Sequence, residues 1–356
     1  MDATGILDEA YQRLHLTGPE FDGWLSNHGP MAAEAMVYRG HPGDVHSWLD
    51  RYCRRLEDLP RGTGPIGPAW QEALGDSRRI ADWVTYFRRE LAGHPWQAVL
   101  GTWWPRLLPG VAAAATHGVI RTGHAVKSLL AESDDEIRIT ELAHGLAYWA
   151  ARWQALPVTT TALPAFTAAE PATAVVSSLA SLPRIAGQSG DIGERLGRLG
   201  RLPDWPAALA ATSVPADAEQ ARSWLAGLVE AAVTQYLRYG HGDGIMLVHA
   251  ATAPNAVLRT LPALDAGLWA PSAAAAWSAA AALTVIYAPA EPAPAPLLPD
   301  PPTGPQAAEE LFARAVEHGD EHVIKFADTA TDVYARTGNA DALASAVRAT
   351  SLIERR

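Results

Sequence analysis

His28, His117, His124, His249 and His322 each lie in an apolar or small-residue stretch that reads as helix or helix start. Such surroundings do not favour an imidazole unless it has a partner. Neutral imidazole is a common ligand of transition metals, so histidines drawn from distant segments can converge on one ion. The alternative for each is a core histidine hydrogen-bonded to a neighbour. Taken as a set, they point to a metal site.

The densest motif is Thr116-His117-Gly118-Val119-Ile120-Arg121-Thr122-Gly123-His124, followed by Lys127. On a helix His117, Arg121 and His124 are spaced i, i+4 and i+7 and share a face. His117 and His124 stand two turns apart, about 10 Å along the axis. Both can serve one metal only by leaning together, and spacing does not choose between them. Arg121 is the candidate catalytic residue, placed to pair with a ligand or a substrate oxyanion. The other reading is close helix packing with Arg121 paired to an acid. Gly118 and Gly123 each weaken a helix by roughly 1 kcal/mol relative to alanine, which close approach of a backbone or ligand explains.

His249 follows the apolar run Ile245-Met246-Leu247-Val248. In Asp320-Glu321-His322-Val323-Ile324-Lys325, His322 and Lys325 lie at i, i+3 on one face. A buried lysine has a lowered pKa and can add carbon dioxide to give a carbamate, a carboxylate-like ligand. A surface salt bridge is the alternative for Lys325. Glu141-Leu142-Ala143-His144 is a single Glu-x-x-His, and a di-iron carboxylate bundle needs two.

The formal net charge of −11 argues against a nucleic-acid partner, which needs a basic face. No dinucleotide or phosphate-loop glycine motif and no nucleophile elbow occurs, so no common nucleotide or flavin pocket is expected. Of the 28 basic residues only Lys127 and Lys325 are lysines. With the heavy Ala, Gly and Pro usage, this reads as a GC-rich coding bias, under which a remaining lysine merits attention. The single cysteine, Cys53, excludes an internal disulfide and an all-cysteine cluster, and a half-buried structural thiol is expected. The acidic N-terminus lacks the features of a signal peptide. Residues 268–288 are the one membrane candidate, but their alanines, serines and proline read as a buried helix. The expectation is a cytoplasmic protein without a membrane partner.

Apolar positions recur at three and four nearly throughout, which predicts an all-α fold. Helices are expected over about 6–16, 30–36, 45–56, 76–91, 111–130, 137–156, 217–238, 244–261, 272–287, 307–329 and 341–354. Residues 157–175 read as an irregular connection. The Pro-rich stretch 288–306 reads as an extended, semi-rigid connection before two final helices. The whole chain, 1–356, is expected to form one large multi-helix domain with a metal centre buried between helices.

Several blocks resemble the questin oxidase family. They are Asn27-His28-Gly29-Pro30-Met31, Trp104-Pro105-Arg106-Leu107-Leu108-Pro109-Gly110, the segment from Thr116 to His124, and Glu141 to Arg152. His249 to Arg259 and Asp320 to Lys325 fit as well. The resemblance spans about residues 20–335. It implies an oxygenase that opens the ring of anthraquinone-type polyketides in secondary metabolism. It further implies a mononuclear non-haem iron held by histidines and a carboxylated lysine. Carried over by motif, Lys325 is that lysine, with His28, His117 or His124, His249 and His322 as the histidines. The expected reactants are a small aromatic molecule and dioxygen. Two other classes compete. One is a metal-free, NADPH-dependent Baeyer–Villiger-like oxygenase. The other is a non-catalytic helical binding protein of a biosynthetic cluster.

Overall fold

The computed structural model describes residues 3–23, 25–132, 135–156, 165–167, 172–185, 187, 189–190 and 192–355. The fold is all-α. Among the described residues the sheet is confined to two short pairs: Glu20–Phe21 antiparallel with Leu25–Ser26, and Ala165–Thr167 parallel with Ser213–Pro215. The contacts divide the chain into two compact units. One comprises Met1–Ala155 with Arg259–Asp265, the other Leu156–Leu258 with Ala266–Arg356.

The first unit is built from α1 (Ala3–His15), α2 (Gly29–Tyr38), α3 (Pro42–Tyr52), α4 (Ile80–Gly93), α5 (Trp96–Leu107), α6 (His117–Ala131) and α7 (Glu136–Ala151). Helix α7 is central, packing on α1, α4, α5 and α6. Its closeness to α6 depends on Gly118, where an added Cβ would lie 2.6 Å from Trp149 Cβ. The helix-packing explanation of this glycine is therefore the one seen. Gly118→Val should destabilise the protein by about 3 kcal/mol through overpacking. Denaturant unfolding checks this, and a midpoint like that of the wild type would contradict so close an α6–α7 contact. Cys53 is half-buried at the end of α3.

The helix predicted over 111–130 starts only at His117. Ahead of it Ala114, Ala115 and Thr116 all hold positive φ, which breaks the helical path that the alanine-rich sequence favours.

The second unit contains α8 (Ala172–Ala180), α9 (Ile192–Leu199), α10 (Trp205–Leu209), α11 (Ala218–Tyr239) and the part of α12 (Gly244–Thr260) that runs to Leu258. It continues with α13 (Trp269–Tyr287), α14 (Ala307–His318), α15 (Glu321–Thr337) and α16 (Ala340–Leu352). The stretch Ala266–Tyr287 is long and apolar enough to cross a membrane, yet 83% of its most apolar window is buried. Helix α13 packs on α9, α10 and α11, and its Trp277 donates an Nε1–H to Leu209 O at 3.0 Å. It is thus a buried core helix, as its small residues suggest.

The single helix predicted over 307–329 is two. Gly319, at φ 87°, ends α14 in the left-handed conformation, and the Asp320 carboxylate caps α15 by accepting from His322 N at 2.8 Å. Three helices, not two, therefore follow the Pro-rich connection. That connection is irregular apart from a 3-10 turn at Ala295–Leu297. The connection expected over 157–175 lies outside the described residues except for 165–167 and the start of α8.

Candidate functional site

In the first unit, His28 is the residue that precedes α2, with Pro30 in the first turn. The Tyr52 hydroxyl accepts the His28 backbone N–H at 2.5 Å. His28 Nε2 lies 2.7 Å from His117 Nε2, with the rings edge to face at 4.5 Å between centroids. Both residues are buried. His117 Nδ1 meets the carbonyl oxygen of Ala114. A carbonyl only accepts, so Nδ1 carries the proton and Nε2 keeps its lone pair.

His124 is placed differently. Its Nδ1 lies 2.6 Å from Glu34 Oε2, and Lys127 Nζ lies 2.9 Å from Glu34 Oε1. Within this unit His117 is the residue of the pair that faces His28, whereas His124 joins a buried cluster with Glu34.

Arg121 is buried and forked onto Glu141, Nε to Oε1 at 2.6 Å and Nη2 to Oε2 at 2.8 Å. The acid-paired alternative is the arrangement seen. His15 Nε2 adds a contact to Glu141 Oε2 at 2.9 Å, and His144 stacks on His15 at 4.5 Å. Burial would raise the Glu141 carboxyl. The Arg121 guanidinium and His15 outweigh burial and hold it down at about 2. Burial pushes His144 well below its usual range, so it is neutral at pH 7. The lone Glu-x-x-His is thus occupied by an ion-pair network.

In the second unit, His249 on α12 is fully buried and its Nδ1 lies 3.0 Å from Ile245 O. His322 on α15 has Nδ1 3.1 Å from Asp320 Oδ1. Both contacts put a proton on Nδ1, so Nε2 is the ring nitrogen that a metal would use. The two rings stand edge to face at 5.4 Å. Asp320, Glu321 and His322 offer ligand atoms within 4.8 Å of one another.

One turn along α15, Lys325 is fully buried, so a surface salt bridge is not its role. Its Nζ has no hydrogen-bond partner among the described residues. Burial holds the amine down to about 7, against the opposing pull of Glu321 and Asp320. A large share of it is therefore an uncharged nucleophile at neutral pH.

The sequence reading named the histidines and Lys325 but missed what orients them. Asp320 could have been found, since a Gly-Asp pair ahead of an apolar-periodic run is a helix stop and start signal. The Ala114 carbonyl carries no side-chain signal at all. Glu34 sits in an alanine-rich helix where nothing local marks it.

Buried groups of histidine and acid like these are of the kind that holds a metal ion between helices. The donors fit iron. Imidazole nitrogen with an anionic oxygen suits it, and each Nδ1 contact to an oxygen is the outer interaction that metal-binding imidazoles use.

The family profile described as Questin oxidase-like matches residues 47–330. The matched region includes His117, Arg121, His124, His249, His322 and Lys325 and begins after His28. No curated protein matches the chain. The profile points to an oxidoreductase, and its family to oxygenases of polyketide-type aromatics.

Proposed function

This chain belongs to the Questin oxidase-like family, and from that premise we propose that it is a mononuclear non-haem iron oxygenase. Its substrate would be an aromatic polyketide or related secondary metabolite, opened at the ring by dioxygen. The observation that carries the iron reading is Lys325, a buried amine one turn from His322 with no hydrogen-bond partner among the described residues.

Iron, when bound, supplies the one-electron chemistry that lets dioxygen react with an electron-rich ring. The proposed ligands are those the resemblance implies: His28, His117, His249, His322 and carboxylated Lys325. His124 is the less favoured alternative to His117, because it is engaged with Glu34. His117, His249 and His322 are each held through Nδ1, which makes Nε2 the atom each would offer to a metal. Lys325 supplies the anionic member. Its Nζ forms a bond to the carbon of carbon dioxide and releases one proton, leaving a carbamate. The apolar surroundings that deprotonate the amine make this reaction possible at pH 7. Arg121 serves by position: its fork to Glu141 ties α6, which carries His117, to α7.

Iron analysis after anaerobic reconstitution tests the reading. The expected result is about one iron per chain, lost to background in His117→Ala and, separately, in His249→Ala. Folded protein with no iron, manganese or zinc would remove it. Dioxygen uptake that depends on NADPH in metal-free protein would favour the Baeyer–Villiger-like class instead.

A further inference from the structure

Three consecutive non-glycine residues, Ala114, Ala115 and Thr116, hold φ of 47°, 54° and 68°. L-residues visit this left-handed region rarely and singly, and glycine is the residue that occupies it freely. The segment is no exposed tip: Ala115 and Thr116 are buried, and the Thr116 hydroxyl donates to the Ala115 carbonyl. Strain of this kind persists only where the surroundings over-determine it, and it clusters at working sites.

The geometry shows what the turn accomplishes. Had the helix run on from residue 111, the carbonyl of Ala114 would point along the axis at the N–H of residue 118. It would then be out of reach of the side chain of residue 117. The left-handed turn instead brings that carbonyl onto His117 Nδ1 at the first residue of α6. We propose that Ala114–Ala115–Thr116 is a positioning segment whose backbone fixes the tautomer of His117, keeping the proton on Nδ1 and making Nε2, the nitrogen that faces His28, the atom offered to a metal. This deepens the reading of His117 as a ligand and rests on it. The other oriented histidines use ordinary means, a helical carbonyl at His249 and a carboxylate at His322. At His117 it is a carbonyl of the bent main chain that holds Nδ1.

The test is long-range proton–nitrogen NMR on metal-free protein labelled at histidine, with the His117 signals assigned by their loss in His117→Gln. The wild type should show His117 as a single tautomer with Nδ1 protonated. Ala115→Gly, which adopts positive φ without strain, should keep that tautomer and the wild-type zinc affinity. Ala115→Val, whose branched side chain resists positive φ, should give mixed tautomers and bind zinc about 10- to 100-fold more weakly. A His117 protonated on Nε2 in the wild type would overturn the proposal even if Ala115→Val fails to fold. So would an Ala115→Val protein that keeps both the single tautomer and full zinc affinity. If the wild type binds no metal, the iron reading falls, and the tautomer measurement still judges the turn.

Discussion

Lys325→Ala should lower bound iron at least tenfold while leaving the protein folded. Lys127→Ala should change it little, because Lys127 is half-buried and serves Glu34 rather than the histidines. The difference lies in environment, since these are the only two lysines in the chain. The Lys325 amine has been stripped of water and given no hydrogen-bond partner among the described residues. Burial brings it from the usual 10.5 to about 7.

The consequence for stability has a definite sign. Between about pH 7 and 10.5 the unfolded chain binds a proton at this position that the folded chain does not, so stability rises with pH across that window. Lys325→Met keeps the apolar stem and removes the amine. It should abolish this rise and be more stable than the wild type below pH 7. Labelled bicarbonate should give a carbamate carbon resonance in the wild type and none in Lys325→Met. Equal iron content in the Lys325→Ala and Lys127→Ala proteins would remove the carbamate from the account.

The second large effect is on folding. Glu141→Gln should destabilise the protein by about 3–5 kcal/mol, the range for breaking a buried ion pair and stranding one charge. Arg121 has its guanidinium forked onto this carboxylate inside the first unit, and the amide cannot neutralise it. The pH dependence follows from the same pair. The folded carboxyl titrates at about 2, below the usual 4.5. The group therefore contributes stability above pH 4.5, and this is lost as pH falls toward 2. Denaturant midpoints between pH 2 and 7 should show this acid loss in the wild type and a shallower one in Glu141→Gln. A Gln variant within 1 kcal/mol of the wild type at pH 7 would show that the fork contributes far less than burial implies. Because Arg121 lies one turn from His117 on α6, the same variant should also bind iron more weakly.

The all-α character and the buried nature of α13 were legible from the amino-acid sequence, as was the net negative charge. Each depends on local periodicity or residue type, and burial of an apolar face follows from either. The two breaks inside expected helices, ahead of His117 and at Gly319, have a common cause. A single backbone conformation, at Ala114 to Thr116 or at Gly319, interrupts a pattern that remains helical in composition. The placement of Gly319 was readable because glycine tolerates positive φ. Three non-glycine residues in that region were not, because only the surrounding packing can hold them there. His117 and His124 shared a helix face in the sequence. Only the tertiary structure set one against His28 and the other against Glu34, because ring partners come from helices whose approach no spacing encodes. Arg121 likewise had two open roles until α7 brought Glu141 alongside it. The sequence determined which side chains could do chemistry. Packing decided which nitrogen each one presents, which charge is paired and which amine is left bare, because protonation and tautomer depend on atoms a few ångströms away in space rather than along the chain.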